Sequence, residues 1–175
     1  MRLSDSIQSV LILDDTGATN RDQAIEAILD QMSADGLFPS PLAAELRASV
    51  IRRDELGPTG IGEGVAIPHV WHAGLDRMVA ALAVSRGGLD YPSLDGEPVH
   101  ILVLILTPQG AVYEPAKQSL FEGWLRHLRD PAFRAGLRLG TTAAELREMV
   151  GWEDQVAPGT AQSRNREDGV VRRDN

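Results

Sequence analysis

The sequence has 175 residues, a formal net charge of −8 at pH 7 and an isoelectric point near 4.9, as expected for a single acidic globular domain. It contains no cysteine, which excludes disulfides, thiolate metal sites and cysteine nucleophiles. The mean hydropathy of −0.14, short apolar runs, lack of a secretory leader and lack of a basic stripe predict a cytoplasmic protein that neither inserts into membranes nor binds nucleic acid.

The N-terminal part of the chain predicts one strand followed by two helices. Residues 10–13 are a short apolar run typical of a buried strand. Residues 21–34 carry apolar side chains at helical spacing, and Thr19 or Asn20 can cap the start of that helix. A second helical pattern covers residues 42–53 and leads directly into a glycine-rich stretch.

The glycine-rich stretch contains four glycines within residues 57–64, which suits a backbone that bends sharply or approaches a ligand closely. A short apolar run, residues 65–67, follows and predicts a strand that stops at Pro68 and His69. Proline restricts its own φ angle and the residue before it, so His69 is presented from a stiffened backbone. Residues 70–76 are expected to form a loop.

The C-terminal part predicts a strand over residues 78–84, a turn at 86–88 and a central strand over 99–106. The last of these is almost continuously apolar, as expected for a strand covered on both faces. Three helices are then predicted, over residues 115–128, 132–139 and 143–150.

This order of elements predicts an α/β fold, a mixed β-sheet flanked by helices on both sides. Residues 1–152 are expected to form the domain. Residues 153–175 are polar and without periodicity, so a disordered C-terminal tail is expected there.

Of the four histidines, His69 is the one whose surroundings favour chemistry. A neutral imidazole is a competent nucleophile near pH 7, and phosphoryl transfer to it needs donors for the phosphate oxygens. Arg53, Thr59 and the backbone amides of residues 60–64, which include Gly64, are the candidate donors.

The other histidines have plainer interpretations. His127 is expected on the polar side of its helix, and His100 opens the central strand with only a minor chance of lying near the site. His72 makes a His-x-x-His pair with His69, but a zinc site needs three or four ligands and no third is apparent, so no metal is predicted. The chain also lacks a Gly-x-Ser-x-Gly elbow and a phosphate-binding loop of the Walker type.

Residues 53–69 read RDELGPTGIGEGVAIPH, and this stretch resembles the active-site signature of the fructose, mannitol and nitrogen-type IIA domains of the bacterial phosphotransferase system. The resemblance extends over roughly residues 4–151 and includes LDGEPV at 94–99, Pro108, LRDP at 128–131 and AEL at 144–146. It implies a mixed β-sheet sandwiched by helices. It also implies that His69 accepts a phosphoryl group from HPr or an HPr-like carrier and passes it to a IIB domain or acts as a regulatory mark, with Arg53 stabilising the phosphate. No metal or organic cofactor is implied.

The chain departs from the family pattern after the central strand. A second histidine usually begins the following helix, and gapless alignment places Lys117 there. Lysine supplies a cation for phosphate but does not shuttle protons at neutral pH unless its pKa is strongly lowered. The loop 110–114 and Val70 also differ from the usual sequence.

Two interpretations therefore stay open. One is a phosphocarrier, for which we favour the nitrogen-regulatory kind that acts on a kinase or another regulator. The other is a binding module that keeps the fold but no longer relays phosphate.

Overall fold

The computed structural model describes residues 2–153, which form one mixed β-sheet between two helical layers. The strands are β1 (Ser9–Ile12), β2 (Gly60–Gly62), β3 (Val65–Ala66), β4 (His69–His72), β5 (Val79–Leu89) and β6 (Val99–Pro108). The α-helices are α1 (Arg21–Ala34), α2 (Ala43–Glu55), α3 (Glu114–Leu128), α4 (Pro131–Leu139) and α5 (Ala143–Glu153). The predicted α/β class is confirmed. Apart from its first residue, the predicted tail lies outside the described residues.

The sheet has the strand order β1-β5-β6-β3-β2, and β4 also pairs with β6. Strands β1 and β5 are parallel, β5 and β6 are antiparallel, and both β3 and β4 run parallel to β6. The sheet is therefore mixed, as the sequence predicted.

Strand β6 is at the centre of the fold because it contributes to both hydrophobic cores. Leu102, Leu104 and Leu106 face the layer formed by α1 and α2. Ile101, Val103 and Ile105 alternate with them and face the layer formed by α3, α4 and α5. Burial of both faces explains the nearly continuous apolar sequence of this strand.

Strands β3 and β4 lie one after the other along the same edge of β6. Val65 of β3 pairs with Ile101, near the start of β6, whereas His69 of β4 pairs with Ile105. Pro68 separates the two because it has no N–H to donate, although its carbonyl still accepts a hydrogen bond of 2.9 Å from the amide of Ile105. The interruption places His69 at the first position of the second strand.

The prediction of a loop over residues 70–76 was wrong for its first part, because residues 70–72 pair with β6 as part of β4. The short alternating segment has only partly buried side chains, so its sequence carried little strand signal. The predicted turn at 86–88 was also wrong. Strand β5 continues to Leu89 through an irregular register, and Gly88 adopts a φ of 81° that lets the strand bend there.

The five predicted helices are all present, and their ends differ from the predicted ones by at most three residues. The predicted cap of α1 is Asn20, whose side chain accepts a hydrogen bond of 3.0 Å from the amide of Gln23. Within residues 2–153, the helices are all too short or too polar to cross a bilayer.

Candidate functional site

Arg53 lies in the last turn of α2, just before the turn that follows the helix. The guanidinium of Arg53 donates a hydrogen bond of 3.1 Å to the carbonyl of Gly57, which holds this side chain against the turn that follows it. The helix end also favours a cation there, since the dipole is negative at the C-terminus. Arg53 is therefore placed by both its helix and its turn.

A buried hydrogen-bond network fixes the same turn. The carboxylate of Asp54 accepts hydrogen bonds from the amide of Thr59 at 2.8 Å and from its hydroxyl at 2.5 Å. The hydroxyl of Tyr91 lies 3.0 Å from that of Thr59, and Arg21 donates to the other oxygen of Asp54 at 3.3 Å. Burial raises the pKa of the Tyr91 phenol, so it stays a protonated donor. The Thr59 hydroxyl is therefore bonded to Asp54 and lies beside the Tyr91 hydroxyl in the buried network.

His69 presents one ring nitrogen and has the other tied down. Its Nδ1 lies 2.9 Å from the carbonyl oxygen of Ile67. A carbonyl can only accept, so Nδ1 carries the proton and Nε2 carries the lone pair. The edge of the ring packs against Phe121 of α3, with centroids 5.7 Å apart and an interplanar angle of 77°. The imidazole is therefore oriented as a nucleophile at Nε2.

The surroundings of His69 keep it neutral. Burial lowers the pKa of the imidazole, and the positive charges of Arg53 and Lys117 lower it further, against the opposing effect of the hydrogen bond to Ile67. Lys117 lies one turn before Phe121 on α3 and contacts Trp71 of β4, so α3 carries it to the strand that holds His69. Arg53 of α2 adds a second positive charge that acts on the same imidazole. His69, Arg53 and Lys117 are three of the five residues predicted for the site.

Lys117 is held between two groups. Its Nζ lies 4.6 Å from the ring centroid of Trp71, within the range of a cation–π interaction, and 3.7 Å from a carboxylate oxygen of Glu114. The side chain is only 18% exposed. This cation occupies the helix where the resemblance expected a second histidine.

Gly64 is not brought to His69. It lies at the start of β3, where its carbonyl accepts hydrogen bonds from the amides of His100 and Ile101 at the beginning of β6. Four residues of extended chain separate it from His69, and the five steps between them correspond to roughly 16 Å. Glu63 lies at that end too, where its carboxylate forms an ion pair of 2.5 Å with Arg134 of α4.

His69 and His72 face opposite sides of the sheet. His69 contacts α3 through Phe121, whereas His72 lies 3.7 Å from Glu45 of α2. Residues three apart on a strand alternate in this way, so the two imidazoles do not converge on one ion. Across residues 2–153, no group of three or more potential metal ligands is found.

Sequence reasoning missed the residues that support the site. Trp71 was assigned to a loop, although its spacing of two from His69 could have indicated a shared strand face. In the sequence, Asp54 stands only as part of the stretch 53–69, and Phe121 only as part of the predicted helix 115–128. Their roles depend on contacts across the fold, for which the sequence carries no local signal.

The family model described as "Phosphoenolpyruvate-dependent sugar phosphotransferase system, EIIA 2" matches residues 6–150. That match covers most of the sequence, and a histidine site on a mixed sheet between helices is the arrangement the resemblance implied. The chain belongs to this EIIA family.

Individual relatives agree with this assignment. The chain is 39% identical over 112 residues to a nitrogen regulatory protein of Bradyrhizobium diazoefficiens, an alignment that covers 64% of this chain and 69% of the relative. It is 40% identical over 65 residues, 37% of the chain, to the fructose-specific EIIABC component of Bacillus subtilis, but spans only 10% of that protein's length.

A solved structure shows the same fold. The crystal structure of the nitrogen regulatory protein IIA-Ntr from Neisseria meningitidis matches with a TM-score of 0.68 at 24% identity, covering 85% of this chain and 94% of that one. The similarity extends to nearly the whole length of that protein.

Proposed function

We propose that the chain is a cytoplasmic phosphohistidine carrier domain that accepts a phosphoryl group on Nε2 of His69 from an HPr-like protein. The observation that carries the proposal is the hydrogen bond of 2.9 Å between Nδ1 of His69 and the carbonyl of Ile67. It fixes the ring and its tautomer so that Nε2 is the nucleophile. In the transfer, the Nε2 lone pair forms the new bond to phosphorus while the donor's nitrogen keeps the electron pair of the bond that breaks.

The cations beside His69 supply what the phosphoryl group requires. Arg53 offers a planar fork of N–H donors, and Lys117 offers an ammonium, for the equatorial oxygens. Both charges also keep the acceptor neutral, since they lower the pKa of His69. Thr59 supports the site by holding the turn that follows α2. Gly64 is left out because it precedes β3, beside the start of β6.

The test is phosphorylation of the purified chain with phosphoenolpyruvate, enzyme I and an HPr-like carrier. Wild type is expected to take up an acid-labile label and His69→Ala is not. His72→Ala is the matched control, since His72 lies on the same strand but faces α2. Labelling of His69→Ala, or no labelling of wild type by any cognate carrier, would contradict the proposal.

For the wider role we favour nitrogen-type regulation over sugar uptake. The 39% identity to a nitrogen regulatory protein, aligned over 69% of its length, supports this choice. A regulated kinase or another regulator is then the expected partner, and a IIB domain is the partner expected for sugar transport.

A second candidate function is a binding module that no longer relays phosphate to a IIB domain. Lys117 favours it, because a lysine holds a phosphate oxygen without exchanging protons at neutral pH. Affinity capture of partners by wild type and by His69→Asp, which places a negative charge at the acceptor, separates the candidates. A phosphorylated regulator should show different partner binding in the two proteins, whereas a module independent of His69 should not.

A further inference from the structure

Strand β4 presents an acceptor and an aromatic ring to the same helix. His69 and Trp71 are two residues apart on a strand, so their side chains lie on one face, about 7 Å apart along the backbone. His69 contacts Phe121 of α3, and Trp71 lies under Lys117 of the same helix. The ring of Trp71 is therefore positioned to determine where the Lys117 ammonium rests.

Lysine needs such support to stay beside His69. Its four-carbon stem samples many rotamers when nothing holds it. Glu114 alone is a poor anchor, because the contact of 3.7 Å is long and the carboxylate is 56% exposed. The other contact of this cation is the face of Trp71, whose ring centroid lies 4.6 Å from Nζ.

We propose that Trp71 is a positioning residue that fixes Lys117 beside His69, so that a phosphoryl group on His69 is retained against loss to water. The inference rests on the proposed phosphorylation of His69. It assigns the site a storage role, namely slow loss of the phosphoryl group to water, which suits a phosphorylation that acts as a regulatory mark.

The chemistry of phosphoryl loss explains the effect. Nε2 is bonded to phosphorus, so the proton that promotes hydrolysis is the one on Nδ1, which makes the phosphorylated ring a cation. The N–P bond breaks with its electron pair going to Nε2, while a water oxygen bonds to phosphorus and the water protons stay with the phosphate that forms. The products are inorganic phosphate and neutral imidazole. A nearby cation disfavours the positive charge of the phosphorylated ring protonated at Nδ1, so Lys117 slows this route.

The charged groups that face His69 are Arg53 from α2 and Lys117 from α3, with Glu114 partly compensating Lys117. Of these, Arg53 is held by Gly57 and is unaffected by Trp71. Removing the Trp71 ring should therefore release Lys117 alone.

The first measurement needs no phosphorylation and follows the His69 imidazole by NMR titration. Trp71→Leu should raise the pKa of His69 towards its value in Lys117→Met, because the ammonium leaves the ring. Trp71→Phe, which keeps an aromatic face, should retain most of the wild-type behaviour. In the Lys117→Met background, Trp71→Leu should have no further effect on this pKa.

The second measurement is the rate at which phosphorylated His69 loses its label near neutral pH, after transfer from the carrier or chemical phosphorylation with phosphoramidate. Trp71→Leu should accelerate the loss about two- to fivefold, the factor equivalent to a partly exposed cation–π contact. Trp152→Leu is the matched control, since Trp152 is 66% exposed on α5 and should leave the rate and the pKa unchanged.

Equal pKa values and rates in wild type and Trp71→Leu, with the fold intact by circular dichroism, would overturn the inference. An unchanged rate with a shifted pKa would overturn the storage role. If neither the carrier nor phosphoramidate labels His69, the proposed function and the storage role both fail. The titration then still decides whether Trp71 positions Lys117.

Discussion

Replacing Asp54 with alanine should lower the free energy of unfolding by about 3–5 kcal/mol, because it leaves buried donors without a partner. Asp54 is 3% exposed and accepts two hydrogen bonds from Thr59 and one from Arg21. Each hydrogen bond to a charged group contributes about 1.5–3 kcal/mol, and the one from Arg21 is long at 3.3 Å. The two bonds from Thr59 therefore account for most of the loss.

The assay is urea unfolding of wild type and Asp54→Ala, followed by circular dichroism. Asp22→Ala is the matched control, because Asp22 also pairs with Arg21 but is 49% exposed. Its loss should change the free energy of unfolding by less than about 1 kcal/mol. A cost below about 1 kcal/mol for Asp54→Ala, or equal costs for both variants, would refute the assignment of the buried network to the stability of this turn.

Three further changes test other parts of the fold. Gly60→Ala should lower the free energy of unfolding by about 1–3 kcal/mol, because the new Cβ would lie 2.4 Å from the carbonyl oxygen of Pro92. The control is Gly123→Ala, within α3, where a Cβ meets open space. In urea unfolding it should raise the free energy by about 0.5–1 kcal/mol. Asn20→Ala should lower the free energy of unfolding by about 1 kcal/mol, because α1 loses its cap. An unchanged free energy in urea unfolding would contradict the capping assignment. Because the pKa of His69 is lowered in the folded state, the unfolded state takes up a proton at higher pH. The free energy of unfolding should therefore fall as pH drops from about 6.5 towards the native pKa, and His69→Asn should reduce this dependence on pH. An NMR titration that gave His69 an ordinary or raised pKa would contradict the prediction.

Secondary structure was predicted correctly where the burial of an element and the spacing of its apolar residues agree. Residues 99–106 were recognised as a central strand because both of their faces are covered, and the helical spacing of residues 21–34 predicted α1 with its correct bounds. The segment from His69 to His72 was missed because its side chains are only partly buried and its pairing with β6 is specified by the partner strand. Pairing across the sheet leaves little trace in a four-residue segment.

The candidate site divides along the same line. Arg53 and His69 stand in a specific seventeen-residue stretch, and Lys117 was found by gapless alignment through Asp130 and Pro131. Gly64 was misplaced next to the acceptor because closeness in sequence was taken for closeness in space. An extended strand carries neighbours apart, whereas the crossing of α3 over β4 brings Lys117 close from 48 residues further along the chain.

The same two cations have opposite consequences for taking up and giving away a phosphoryl group. By keeping His69 neutral, Arg53 and Lys117 favour the nucleophilic form of the acceptor near pH 7. Once a dianionic phosphoryl group is bound, as we propose, both attract it, and any onward transfer must overcome that attraction. Interactions equally strong in the bound state and the transition state do not accelerate the transfer. Cations that attract the bound group therefore favour holding it, which is the behaviour needed if the phosphorylated state itself is the signal.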